Sequence, residues 1–368
     1  MCIPMKKRKL FLSFIAVLLF ADGCVVKVHD DDESADEYEY EDQVVYDDDY
    51  QQDQCIDYET ENVELFGHEE SDFSLNGNAE FCECAAKIVG NADTQYDKAM
   101  AIYRWECANI AYDVDYKVYS GEECWQKRKG VCQAYSELFV SLAQECGLEA
   151  KIVFGLCKNE LYPNGDGDHA WVKAKTEKGW ILIDPTWGAG TVDGRKFVRS
   201  DNDMSWFDVD PSWMIFTHYP EESNDQLLTQ PLSSGQYLSL PVLVPNVQAY
   251  GFKASSTLDY YQRYPNAGFP YVFDCPNAKG KIFFEEIPLV SELKVGQQYS
   301  FRVRCSDNSI TPCLRPSTDE KFESWQVADD LYSITISPTQ RGTLIFAIKK
   351  TKGLMMTFDG VLQYKIVK

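Results

Sequence analysis

Only four histidines occur in this 368-residue chain, so chemistry that needs an imidazole has few places to reside. His29 falls in an acidic run and His68 in a polar stretch, which leaves His169 and His218 as the folded candidates. The 13 cysteines include no C-x-x-C pair, and Cys82-x-Cys84 lacks a second matching half, which argues against a thiolate zinc site. No internal repeat appears, which excludes a solenoid array. After one short apolar run near the start there is no second long one, so no further stretch reads as a membrane-spanning helix. Basic residues are absent from Asp30 to Asp53, where 13 of 24 residues are Asp or Glu, and this stretch alone carries 13 of the 23 net negative charges. Such a block repels itself and cannot collapse, even with Tyr38, Tyr40, Tyr46 and Tyr50, so it reads as an extended tether. The acidic balance also argues against nucleic acid as a partner.

What is present begins with an export signal. Lys6, Lys7, Arg8 and Lys9 precede the apolar run Leu10 to Ala21, which is too short to span a bilayer comfortably. Ala21-Asp22-Gly23-Cys24 resembles a bacterial lipobox, although Leu is usual where Ala21 stands and Asp22 departs from the pattern. The resemblance implies a lipid on Cys24 and a membrane-anchored, exported protein at the outer membrane or cell surface. An ordinary cleaved signal or a short uncleaved anchor is the alternative. The implied organisation is a signal peptide (1–23), an acidic tether (24–60), a folded domain with a helical lead-in and a junction segment (61–236) and a β-sandwich (237–368).

Periodicity supports that division. Ala79 to Gly90 and Thr94 to Ile110 read as helices, the second opening on the capping spacing Thr94-x-x-Asp97. Its Tyr96, Met100, Tyr103, Cys107 and Ile110 form one stripe. Ala111 to Lys129 reads as a loop, Cys132 to Cys146 as a third helix, and Gly147 as its left-handed stop. Strands follow at Ala150 to Leu156, His169 to Lys175 and Trp180 to Ile183. The turn Asn164-Gly165-Asp166-Gly167-Asp168 hints at calcium, but His169 stands where an EF-hand needs Gly, so a glycine-rich turn is the better reading. Beyond Tyr237, alternating runs at 282–286, 298–305, 331–337, 343–349 and 361–367 suggest an antiparallel sandwich. With Cys2, Cys24 and Cys132 set aside, an even number of cysteines remains. Cys146 with Cys157, and Cys275 with Cys305 or Cys313, are neighbours that an exported chain permits to pair.

The chemistry points to a thiol. A cysteine at a helix N-terminus meets the positive end of the dipole and free N–H groups, which favour thiolate and can hold an oxyanion. Cys132 has that position, although most cysteines in so rich a chain are structural. Lys127, Arg128 and Lys129 precede it, either adding to the field or forming a solvated loop. His169 opens a strand, and Asp184 ends the next one, so adjoining strands bring imidazole and carboxylate together.

Gly130-Val131-Cys132-Gln133-Ala134-Tyr135-Ser136, Asp168-His169-Ala170-Trp171-Val172 and Ile183-Asp184-Pro185-Thr186-Trp187 together resemble the transglutaminase-like core, in the same order, over roughly 79–190. Phe216-Thr217-His218-Tyr219-Pro220-Glu221-Glu222 is similar to the segment after that core in kyphoscoliosis-peptidase-like members, which places His218 in a structural junction and demotes it as the base. The resemblance implies an α+β papain-like fold followed by an Ig-like sandwich. It implies Cys132 as nucleophile, His169 as general base and acid, and Asp184 as the orienting carboxylate, with no cofactor and no metal. Val172 departs from a frequent Asn, as hydrolytic relatives also do. Gln126 stands six residues before Cys132, the offset of the papain-like oxyanion donor, against a plain reading as a surface residue. Trp171 and Trp187 read as core or cleft wall. The implied reaction is acyl transfer at an amide of a protein or peptide substrate, with hydrolysis favoured over cross-linking. The rivals are a non-catalytic, surface-attached binding or scaffold protein that keeps the fold, and a chain whose cysteines are all structural.

Overall fold

The computed structural model describes Leu75 and residues 78–159, 162–201, 203–352 and 355–368. The expected signal peptide, Cys24 and the acidic tether lie outside the described residues.

Capping side chains decide where the first helices begin. Helix α1 (Ala79–Val89) follows Asn78, whose Oδ1 accepts from the Glu80 and Phe81 N–H groups at 3.0 and 3.1 Å. Helix α2 (Gln95–Asn109) follows Thr94, whose hydroxyl oxygen accepts from the Asp97 N–H at 3.0 Å, as the sequence spacing predicts. Tyr103, Cys107 and Ile110 of the expected stripe are buried, and Tyr96 and Met100 pack half-buried beside them. The region expected to be a loop is more ordered. Strand β1 (Ala111–Tyr112) runs parallel to β2 (Lys129–Gly130), and between them Ser120 caps a short helix, α3 (Gly121–Lys127). Helix α4 (Cys132–Glu145) buries Ala134, Tyr135, Leu138, Phe139, Leu142 and Ala143, the larger of them contributing about 1.5–3 kcal/mol each. Gly147 follows with φ +70°, the left-handed stop expected there.

The chain then builds one antiparallel sheet. Strands β3 (Ala150–Cys157), β4 (Gly167–Thr176) and β5 (Gly179–Ile183) are laid side by side. Next come α5 (Pro185–Ala189), the hairpin β6 (Gly190–Asp193) and β7 (Lys196–Arg199), then β8 (Phe207–Val209), α6 (Pro211–Met214) and β9 (His218–Pro220). The sheet order is β8-β5-β4-β3-β9, with α4 across β3 and β4. Strand β9 can lie against β3 only because residue 155 is glycine. A Cβ on Gly155 would sit 2.2 Å from the Tyr219 oxygen and 2.7 Å from the Pro220 Cα. The core expected from the sequence is therefore an α+β one: helices on an antiparallel sheet.

The texture change expected at Tyr237 falls elsewhere. Helices α7 (Ser234–Ser239) and α8 (Ala254–Arg263) come first, and Leu240, Leu243, Val247, Leu258 and Tyr261 belong to the core that α1–α4 and the β3–β5 sheet also share. A capping box at Ser233 and the 3–4 spacing of Ala254, Thr257, Leu258 and Tyr261 are the local causes. Strands resume with β10 (Tyr271–Val272), β11 (Ile282–Glu286), β12 (Glu292–Lys294), β13 (Tyr299–Cys305), β14 (Ile310–Pro316), β15 (Gln326–Ala328), β16 (Leu331–Ile336), β17 (Gly342–Lys352) and β18 (Met355–Val367). One sheet has the order β10-β18-β17-β14 with β12 also on β18, and the other β11-β13-β16-β15. Both feed one core, where Phe284 and Phe346 meet at 4.9 Å between ring centroids and Phe301 and Tyr364 at 5.7 Å. Pro312 and Pro316 hid β14 from its sequence, and it occupies an edge, where proline is tolerated.

None of the ten described cysteines is in a disulfide. Cys146 ends α4 and bonds the Ala85 carbonyl at 3.5 Å, whereas Cys157 lies at the far end of β3 opposite Gly167. Cys313 faces the Ala347 carbonyl at 3.5 Å, and Cys275 and Cys305 are buried as thiols. The expected pairings are not made in this structure.

Candidate active site

Helix α4 starts on Cys132 itself. The preceding Val131 offers no side-chain cap, unlike Asn78, Thr94 and Ser120 before α1, α2 and α3. The first N–H groups of the helix thus remain without an intrahelical acceptor, directed at the space beside the sulfur. Cys132 is only partly buried. Burial opposes its ionisation, yet hydrogen bonds from the His169 side chain and the Ala170 N–H, together with the imidazolium charge, leave the thiol pKa below its ordinary value.

His169 projects from β4 toward the same place. Its Nε2 lies 2.8 Å from Asp184 Oδ2, which leaves Nδ1 for the thiol. Burial alone would push its pKa down, but the ionised Asp184 beside it dominates and holds it well above the usual histidine range. Asp184 follows β5 and caps α5, its Oδ1 accepting from the Thr186 and Trp187 N–H groups at 2.9 and 3.1 Å. Fully buried, it nonetheless stays ionised: desolvation works against the charge, while both neighbouring imidazoles lower its pKa. One oxygen of Asp184 thus serves the backbone and the other serves histidine.

The second imidazole is His218. The resemblance placed it in a junction away from the base role, and neither of its nitrogens does face the thiol. Strand β9 brings it back to the site all the same: Nε2 lies 3.1 Å from the same Asp184 Oδ2, and Nδ1 lies 2.8 Å from Thr217 Oγ1. Burial and the His169 charge outweigh Asp184 and bring its pKa down to about 4, so it is neutral. Trp171, Trp187 and Trp206 enclose it at 4.9, 4.6 and 5.5 Å between ring centroids. Trp187 also lies 5.4 Å from His169, so the two tryptophans read as wall or core line the imidazoles. The ligand atoms of His169, Asp184 and His218 fall within 4.8 Å of one another, a spacing that suits a metal ion. In this arrangement the atoms satisfy one another as N–H···O pairs.

Other expected contributors lie elsewhere. Gln126 is on the exposed side of α3 with its amide donating to Glu122 at 3.2 Å, which suits the surface reading. Lys127 pairs with Glu123 at 2.7 Å, Lys129 with Asp113 at 3.0 Å, and Arg128 stacks on Trp125 at 3.9 Å. Each member of that basic run has its own partner. Sequence reasoning missed Tyr112, which β1 sets opposite Gly130, two residues before Cys132. Its ring stands 6.0 Å from that of Tyr116. The signal for it was weak, since a two-residue strand has no period.

Comparison with known proteins covers this same region. Residues 83–185, which contain Cys132, His169 and Asp184, match the transglutaminase-like superfamily. A stretch of 168 residues is 30% identical to kyphoscoliosis peptidase of Homo sapiens, covering 42% of this chain and 25% of that protein. Cytokinesis protein 3 of Saccharomyces cerevisiae is 30% identical over 117 residues, 30% of this chain and 13% of that one. The chain therefore spans a quarter or less of the length of these relatives. A solved structure of a candidate cysteine protease from Cytophaga hutchinsonii shares 25% identity over 29% of this chain and 37% of that one, with a TM-score of 0.26. Residues 83–185 of this chain therefore belong to the transglutaminase-like superfamily.

Proposed function

We propose that this chain is a thiol-dependent acyl transferase acting on amide bonds of proteins or peptides, with water as the preferred acceptor. The observation that carries the reading is the convergence of the Cys132 thiol, the His169 imidazole and the buried Asp184 carboxylate at the start of α4. Thiolate of Cys132 attacks the amide carbonyl carbon, and the helix N–H groups receive the oxyanion. As the C–N bond breaks, the His169 proton passes to the leaving nitrogen, leaving a thioester on Cys132. His169 then takes a proton from water, the hydroxide oxygen bonds the carbonyl carbon, and the carboxylic acid departs as the thiolate returns. Asp184 stabilises the imidazolium throughout and is not itself protonated. No step calls for a cofactor. The test is alkylation with iodoacetamide followed by peptide mapping. Cys132 is expected to react well before the other nine described cysteines, and Cys132→Ala to abolish turnover of any peptide the wild type cleaves. Uniform labelling, or a fully active alanine variant, would overturn the reading.

The same proposal places the enzyme outside the cytoplasm, tethered by a lipid on Cys24 through its acidic segment, with β10–β18 as an Ig-like sandwich. The charged n-region, the short apolar run and the lipobox-like Cys24 support export, and the two sheets sharing one core support the sandwich. Incorporation of a labelled fatty acid that disappears in Cys24→Ala would support the anchor, and equal labelling would remove it.

A further inference from the structure

We propose that His218 is a positioning residue for the thiol chemistry: a neutral second imidazole whose Nε2–H holds Asp184 in the orientation that serves His169. This rests on the acyl-transfer reading above and adds a fourth member to the site.

The argument is one of proton placement. Ionised Asp184 can only accept, so the 3.1 Å contact requires hydrogen on His218 Nε2. In a neutral ring Nδ1 is then an acceptor, and Thr217 Oγ1 at 2.8 Å is its donor. The Thr217 hydroxyl has one proton and a choice between Nδ1 and the Met214 carbonyl at 3.3 Å, and it takes the shorter contact. Thr217 thereby selects the tautomer of His218, and His218 fixes Oδ2 of Asp184. The carboxylate now has four donors: two backbone N–H groups on Oδ1 and two imidazoles on Oδ2. Without His218, Oδ2 would keep a single partner in a buried apolar cage, and both the charge on Asp184 and the aim of His169 would weaken.

The surroundings leave His218 little else to do. Its side chain is buried, and the ionisable groups facing it are Asp184, His169 and, across the β3 pairing, Cys157. Burial raises the Cys157 thiol to about 11, so that group is uncharged. Farther off, Tyr103 and Cys107 of α2 border Asp184, both raised by burial and therefore neutral, with Asp203 bordering these two. Cys132 acts on His218 only through His169. A histidine kept for packing alone would not need a particular tautomer. This one has both nitrogens satisfied in a single pattern.

The experiment follows the pH dependence of Cys132 alkylation by iodoacetamide in the full chain, which requires no substrate. His218→Gln keeps a donor near the Nε2 position and should stay within about threefold of wild type. His218→Phe fills the cage without a donor and should slow alkylation about tenfold below neutral pH. Thr217→Val should shift the profile in the same direction by less. Nitrogen NMR of the imidazoles gives a check on the wild type itself, expected to show His218 neutral with hydrogen on Nε2 from pH 5 to 8. The proposal is overturned by a His218 that titrates in that window or carries hydrogen on Nδ1, or by Gln and Phe variants with the same profile. If the Phe variant does not fold, the NMR result and Thr217→Val decide. A wild-type Cys132 that shows no preferential alkylation would instead sink the acyl-transfer reading.

Discussion

The two halves of the folded chain treat buried charge in opposite ways. Among the described residues, the buried ionisable side chains other than cysteine and tyrosine are Glu106, Asp113, Lys158, His169, Asp184 and His218, all before residue 219. The strand-built region beyond Tyr271 has a core of Phe284, Phe301, Val303, Ile334, Phe346, Leu362 and Ile366, and its charges form surface pairs such as Arg304 with Glu285 and Asp330. Burying charge destabilises unless each group finds partners, and it is retained where chemistry needs it. The contrast separates a region shaped by reactivity from one shaped by packing.

The largest effect expected from this comparison is at Asp184. Asp184→Asn keeps the Oδ1 acceptor for α5 but removes the charge beside two imidazoles, so kcat/KM of the proposed peptide hydrolysis should fall by about 10⁴-fold, with near-native circular dichroism. Its alkylation profile should move to higher pH, because the imidazolium that lowers the Cys132 pKa is lost. Next is Phe346→Ala in the other half, expected to cost about 3–5 kcal/mol in urea unfolding while leaving the Cys132 alkylation rate of the folded protein unchanged. A change in that rate would show that the two regions are not separable. The smallest is at Glu106, whose two carboxylate oxygens are buried without a partner and whose pKa burial holds well above the usual range. A raised folded pKa means that stability is fully present below the unfolded value near 4.5 and is lost as pH rises. Glu106→Gln should remove most of that slope and gain about 1–3 kcal/mol at pH 8 relative to pH 4, measured as urea midpoints.

Much of the first half was readable because its signals are local. Thr94 with Asp97, Gly147, and the periodic faces of α2 and α4 each occupy one or two turns of chain. The approach of His169 and Asp184 followed from two successive strands joined by a short turn. What escaped depended on distant pairing. His218 reaches Asp184 only because β9 returns more than 60 residues later to lie against β3, and only because Gly155 clears the way. The offset that nominated Gln126 carries no information about which side of α3 it occupies. Prolines masked β14, and the helices α7 and α8 blurred the boundary expected at Tyr237. Glu106 lies inside the stripe that α2 buries, one turn from Tyr103, and nothing in its neighbours' polarity announced a lone carboxyl.

Asp184 also serves as the first link of α5, and that helix rests on α2 through Gly188, where a Cβ would meet the Tyr103 hydroxyl at 2.0 Å. The carboxylate is therefore fixed to a backbone that is seated on α2. Crowding at that seat would displace the Thr186 and Trp187 N–H groups that hold Oδ1, so the orientation of Asp184 depends on how α2 fits against α5.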